Sequence, residues 1–315
     1  MSNVRISDLP AASSLPSAPG GLGRTDLGLY VVLVTVWGTS WIALHHQLGM
    51  VAPEVSLVWR FALSAAICLL VAALRREKLG FPLRMHARFA LAGVLMYSTN
   101  FLLFYHAGAR VPSGLLAVVF ALASPINLAL GALFFRRPIE MRVLAGAALG
   151  VAGVGLLYLP QFTAEGLGAA ALGGLALCVG GTTCFCLGNM VSSVIQREAS
   201  DLAATTWGMV YGAAWLVVVA VVSGAPFVIE PSWSYAVSLV WLAAGSSVAA
   251  FLAYLALIKR IGPARAGFAT VLFPVVALAI SSVFEDYRWS APSLLGVALV
   301  ALGNVVVLGL ARRKG

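Results

Sequence analysis

Ten blocks of apolar residues follow one another along this chain, separated by short polar or basic segments. They lie near 27–46, 53–74, 87–107, 112–134, 139–158, 169–194, 203–222, 235–257, 264–284 and 291–311. Within them Ala, Leu, Val and Gly run on without a sustained alternation of polar and apolar positions. A helix needs about 20 such residues, rising about 1.5 Å each, to cross a bilayer. Lipid offers no partner to an exposed peptide group, so only helices and closed barrels span it. The missing period of two excludes the barrel. The pattern therefore predicts an all-α polytopic membrane protein with ten transmembrane helices. Composition agrees: 61% of the 315 residues are hydrophobic and 10% are charged, against about 25% charged in soluble domains. Residues 1–26, rich in Pro, Ser, Ala and Gly, read as a disordered cytoplasmic tail. The first span then acts as an uncleaved insertion signal.

A net charge of +9 would suit nucleic acid, but its placement points to the bilayer. With a cytoplasmic N-terminus and ten alternating spans, inward-facing segments hold 17 of the 20 Lys and Arg residues. Outward-facing loops hold two, Arg110 and Arg288, and the last is Arg60 within the second span. This bias follows the positive-inside rule. It predicts both termini in the cytoplasm of a bacterial-type inner membrane, with lipid and no nucleic acid as partner. Cys68, Cys178, Cys184 and Cys186 all fall inside apolar blocks and read as small core residues, without disulfide or metal.

The chain also repeats itself. Trp59 and Trp207 are 148 apart; Tyr105 and Tyr254, and Pro125 and Pro274, are 149 apart; Gly146 and Gly296, and Gly153 and Gly303, are 150 apart. Matches that drift so little over five spans favour a duplication, with units 27–160 and 161–315. Five spans is an odd number, so tandem copies insert with opposite orientation. Inverted repeats around a midplane site are the architecture of alternating-access transporters.

Three local patterns then carry a family resemblance. They are Trp37-Gly38 in VTVWGTSWIA, Arg60 in LVWRFALSA, and a tyrosine ahead of a basic turn and a proline-bearing helix. The third occurs twice, as FYHAGARVPSGLLAVVFALASPI and AYLALIKRIGPARAGFATVLFPV. Over residues 27–311 the chain resembles the drug/metabolite transporter superfamily, EamA type, and within it the amino-acid exporters. The resemblance implies a basket of helices one to four and six to nine around a central cavity, with the fifth and tenth outside.

Arg60 stands seven residues into its span, about 10 Å deep. Two readings are open. Its head rises to the outer headgroups, or it faces a wet cavity and holds a substrate carboxylate or helix-end carbonyls. One residue past the matched tryptophans its counterpart is Gly208, so the repeat itself does not demand a charge there. Pro125 and Pro274 each remove a helix hydrogen bond at equivalent places, which suits hinges that shape or gate a cavity.

The polar and aromatic candidates for that cavity are Trp37, Thr39, Ser40, Trp41, Arg60, Tyr97, Asn100, Tyr105, Asn127, Thr183, Asn189, Trp207, Tyr211, Tyr254 and Thr270. Singly, such hydroxyls and amides often just bridge helices. Together they suit a neutral, zwitterionic or aromatic small molecule. A phosphate-bearing substrate would want several buried cations. Gly146, Gly150 and Gly153 form a small-residue ridge on the fifth span, matched by Gly296 and Gly303 on the tenth. The ridge suits close packing inside the chain more than a dimer contact, for a monomer or weak homodimer.

No Asp or Glu lies mid-block; Glu54, Glu285 and Asp286 stand at outer helix ends. Only His106 is placed to titrate inside, which favours facilitative export over strong proton coupling. No HExxH, GxSxG or Walker loop is present, so enzymatic function is not expected, nor any cofactor. The sequence thus predicts an exporter of small metabolites, neutral or aromatic amino acids foremost. A multidrug or lipid efflux protein of the same superfamily is the alternative, and a receptor or scaffold the alternative of another class.

Overall fold

A computed structural model of the protein describes residues 23–134, 141–163, 168–261 and 269–308. Among these residues eight helices are long and apolar enough to cross a membrane, and two shorter apolar helices follow. The ten are α1 (Arg24–His45), α2 (Pro53–Leu74), α3 (Leu83–Gly108), α4 (Ser113–Phe134), α5 (Met141–Thr163), α6 (Gly168–Ile195), α7 (Asp201–Val222), α8 (Trp233–Ile261), α9 (Ala269–Phe284) and α10 (Ala291–Leu308). The expected spans all appear, most of their described ends within a few residues. The N-terminal tail beyond Gly23 and the C-terminal residues lie outside the described part.

Local chemistry sets the boundaries. Pro53 opens α2 at its first turn, where its missing N–H costs nothing. Ser200 caps α7 by accepting from the Ala203 amide at 3.1 Å, and Ser232 caps α8 by accepting from Tyr235 at 3.1 Å. The ends of α2 and α7 share one stop signal. Glu77 N donates to Ala72 O at 2.8 Å and Ala225 N to Ala220 O at 2.9 Å, the six-to-one bond of a Schellman turn. The left-handed residue is Arg76 in the first (φ 51) and Gly224 in the second (φ 68). They are 148 apart, the offset of the repeat at this point.

The main helix pairings follow the repeat. α1 lies against α8 and α9, and α6 against α3 and α4; α2 lies against α8, and α7 against α3. The pairs α2–α7, α4–α9 and α5–α10 also meet. Exchanging the two halves, first helix for sixth and so on, turns this set of pairs into itself. Such self-mapping is what a pseudo-twofold axis produces. The α5–α10 contact carries it to single atoms. A Cβ on Gly153 would stand 2.6 Å from Gly296 O, and a Cβ on Gly296 would stand 2.6 Å from Gly153 O. Gly303 likewise approaches Gly146 O. The glycine ridges therefore close against each other within one chain.

Two features break the regularity of the inner helices. α4 is interrupted at Ala121–Leu122, where Pro125 leaves the carbonyl four residues before it without its helical donor. α3 and α8, third in each repeat, each widen into a π-helical stretch, at Leu95–Thr99 and Trp241–Ala249. Such stretches collect at functional sites.

Candidate functional site

Aromatic rings gather where α1, α3, α4, α6, α8 and α9 meet. Trp41 lies 5.2 Å from Phe104, 5.7 Å from Phe120 and 6.5 Å from Phe273 between ring centroids. Phe120 reaches Phe185 at 4.8 Å, and Trp37 meets Tyr254 at 5.4 Å and Phe273 at 6.2 Å. Most pairs are tilted or edge-on, the arrangement ring quadrupoles prefer. Two of the rings adjoin the proline-marked stretches: Phe120 precedes the break in α4, and Phe273 precedes Pro274 within α9. Asn189 Nδ2 donates to Asn127 Oδ1 at 3.3 Å, joining α6 to α4. Thr39 accepts from Trp241 Nε1 at 3.1 Å, and Trp37 Nε1 points at Ser246 O in the π-helical stretch of α8, at 3.4 Å.

Arg60 lies between α2, α3 and α8 and is 1% exposed. Its Nε and Nη2 both donate to Ser247 Oγ at 3.2 Å. Its guanidinium carbon stands 4.4 Å from the Phe101 ring centroid and 5.2 Å from that of Phe61. The headgroup reading does not fit this geometry. Ser64, one turn further along α2, bonds Ala243 O, whereas Arg60 reaches Ser247, one turn further along α8. The side chain leans away from the nearby end of α2, toward mid-span. No carboxylate among the described residues pairs with it. A cation over a ring contributes about 0.5–2 kcal/mol, while burying an ion costs several kcal/mol. Two rings and one hydroxyl leave the charge under-compensated. The neighbouring Tyr105 hydroxyl is buried and outside hydrogen-bond geometry with any described group.

The repeat explains how the fold admits this charge. At Gly208, the counterpart of Arg60, an added Cβ would meet the Tyr97 ring at 2.6 Å. Tyr97 thus fills over Gly208 in one half, and Arg60 reaches over the small Ser247 in the other.

The candidates read from the sequence divide by location. Trp37, Trp41 and Tyr254 join the ring cluster, while Thr39 bonds Trp241 and Asn127 bonds Asn189. Arg60 and Tyr105 form the second cluster, and Tyr97 lies close by against Phe61 at 6.3 Å. Asn100 is buried, its Nδ2 bonded to Met96 O and its Oδ1 without a partner. Ser40 and Thr183 turn back onto their own helices, at Val36 O and Val179 O. Trp207 and Tyr211 are engaged elsewhere, toward the start of α3. Trp207 Nε1 donates to Leu79 O at 3.0 Å, and the Tyr211 hydroxyl lies 3.0 Å from His86 Nδ1. Thr270 sits in α9, its side chain outside the described part.

Several residues gave no signal beforehand. Phe104, Phe120, Phe185 and Phe273 look like any apolar filler, and Ser247 like any small residue. Glu285 stands at a helix end, yet its side chain is 6% exposed. It accepts from Ser113 N at 3.1 Å and from the hydroxyls of Ser113 and Ser281 at 2.6 Å, and His45 Nδ1 lies 3.2 Å from it. The carboxylate sits at the start of α4, where amides lack helical partners, and ties α9 to α4 and α1. A cleft of 370 Å³ opens beside it, lined in part by Arg110, Asp286 and Phe284. At the opposite end Arg260 of α8 bonds Asp26 of α1, and Arg84 and Arg88 of α3 grip Glu198 at 3.3 and 2.7 Å.

With this geometry in hand, the comparisons with known proteins are specific. The profile of the EamA-like transporter family matches twice, over residues 27–159 and 172–309. The chain is 26% identical over 287 residues to the uncharacterized inner membrane transporter YedA of Escherichia coli K12, covering 88% of this chain and 90% of that one. It is 25% identical over 304 residues to a probable amino-acid metabolite efflux pump of the same strain, covering 93% and 98%. It is 20% identical over 287 residues to protein PagO of Salmonella typhimurium, covering 89% and 91%. A solved crystal structure superposes with a TM-score of 0.66 at 18% identity, over 92% of this chain and 99% of the other. That likeness concerns the fold alone.

Proposed function

Since this chain belongs to the EamA-like transporter family, we propose that it exports neutral or aromatic amino acids, or close metabolites, by alternating access. That it is a membrane transporter follows from the family; substrate class and direction are the reading offered here. The observation that carries it is the cluster of rings where helices of both repeats meet, Trp37, Trp41, Phe104, Phe120, Tyr254 and Phe273. The Asn127–Asn189 amide pair joins α4 to α6. Where these helices part in the transport cycle, aromatic faces with a few neutral polar groups suit a small, partly apolar guest. The name of the efflux-pump relative points the same way. Pro125 and Pro274 serve as hinges in α4 and α9, close in sequence to Phe120 and Phe273 of the ring cluster. Both termini lie in the cytoplasm, on the balance of basic residues. The test is uptake into proteoliposomes of labelled phenylalanine, tryptophan, alanine and threonine, each with and without a pH gradient. Saturable uptake abolished by unlabelled substrate and indifferent to the gradient supports a facilitative amino-acid carrier. Uptake that needs the gradient removes the facilitative part. Uptake of none of the four removes the amino-acid assignment.

A further inference from the structure

Resting on that reading, we propose that Arg60 and the Tyr105 hydroxyl form a carboxylate subsite, so that the substrates are monocarboxylates with an apolar or aromatic body. Three independent observations support it. Arg60 is a full charge, 1% exposed, with no carboxylate paired to it among the described residues. A guanidinium in that position is completed by an anion it binds in turn. Beside it lies the buried Tyr105 hydroxyl, close to the guanidinium and outside hydrogen-bond geometry with any described group. A planar guanidinium and a hydroxyl offer the donors that the two oxygens of one carboxylate accept. Finally, the counterpart position holds Gly208 under the Tyr97 ring. The fold is built there without a charge, so the charge has a use of its own.

The surroundings define the rest of the ligand. Phe61 and Phe101 cover the guanidinium and would flank the first atoms beyond the carboxylate. α3 links this subsite to the ring cluster, since Phe104 meets Trp41 while Phe101 and Tyr105 meet Arg60. A single guanidinium with no second cation beside it among the described residues balances one negative charge. Phosphomonoesters and dicarboxylates are therefore disfavoured.

The test uses the full chain purified in detergent. Apparent affinities come from ligand-induced shifts of the unfolding temperature, for phenylalanine, phenylalaninamide and 3-phenylpropionate. Wild-type protein should bind both acids about tenfold or more tightly than the amide, the scale of a charge-assisted hydrogen bond. Arg60→Gln should lose the preference by weakening the acids alone, and Arg60→Lys should keep part of it. Tyr105→Phe, which removes only the hydroxyl, should narrow the preference and stands in where Arg60→Gln does not purify. Equal wild-type affinity for acid and amide would overturn the subsite while leaving the transporter reading untouched. Variants that weaken acid and amide alike would overturn it too, since a merely structural arginine does that. If no ligand shifts the wild type and proteoliposomes take up no amino acid, the amino-acid reading fails and takes the subsite with it.

Discussion

At the scale of single residues, the sequence displayed the anomalies and concealed their partners. Arg60 was conspicuous as a charge in an apolar span. Its contact Ser247 lies 187 residues away, and neither it nor Phe101 differs in type from the other serines and phenylalanines of the chain. The Tyr97–Gly208 contact makes a prediction: Gly208→Ala puts a Cβ 2.6 Å from the Tyr97 ring. Overpacking of this kind costs about 1–3 kcal/mol, so the variant should unfold several degrees lower in a detergent melt. An unchanged melting temperature would show that the ring has room to move. Arg76 makes the converse case. It occupies the left-handed position that Gly224 fills in the second repeat, and a side chain there costs about 1–2 kcal/mol. Arg76→Gly should therefore stabilise the protein by about 1 kcal/mol, less the loss from a freer unfolded chain. A neutral or lowered melting temperature would mean that the arginine side chain contributes more than its backbone costs.

At the scale of helices, spans were legible because apolar length is a one-dimensional signal, while interruptions were only partly so. Proline announced the break in α4. Nothing announced the π-helical stretches, since one extra residue in a turn depends on neighbours distant in sequence. The same holds for Glu285. Its place at a helix end suggested solvent, and three hydroxyl or amide donors and His45 brought it inside. These bonds join α4 and α9, the helices of Pro125 and Pro274, at one end of the molecule. Glu285→Ala should loosen that end, since charge-assisted bonds each contribute about 1.5–3 kcal/mol. The measurement is labelling by a membrane-impermeant maleimide of a cysteine placed at the buried Val111, which should speed up several-fold. Equal labelling rates in both backgrounds would dismiss Glu285 as a fastener.

The loop between α6 and α7 gives a pH prediction. Hydrogen bonding to Arg88, then the charges of Arg88 and Arg84, holds the Glu198 carboxyl below its ordinary value. The folded state thus binds the proton less readily than the unfolded chain. The stabilisation is complete above the ordinary glutamate pKa and fades as pH falls through the lowered one. Amide exchange at residues 196–199, compared with α6, should speed up only in that acid window, and Arg88→Gln should abolish the change.

At the scale of the whole molecule, the duplication was legible in five residue pairs, and the main helix pairings follow it. Helices α5 and α10 are counterparts in it and meet through glycine. Because each glycine faces the other helix's backbone, relief by side-chain movement is unavailable. Gly153→Ala and Gly296→Ala each place a methyl 2.6 Å from a carbonyl oxygen and should separate the helices, at about 1–3 kcal/mol each. Gly150 differs: its added Cβ would meet only the Leu122 side-chain end, at 2.7 Å, which can rotate away. Gly150→Ala should therefore cost less than either, despite lying on the same ridge. The order of the three melting temperatures tests whether the ridge closes on backbone within the chain. If the ridge instead served a dimer, all three substitutions would shift the mass measured by light scattering while leaving the monomer's stability alike. The intramolecular contact expects an unchanged mass and an unequal loss of stability, because the helix that fills the ridge is already part of the same fold.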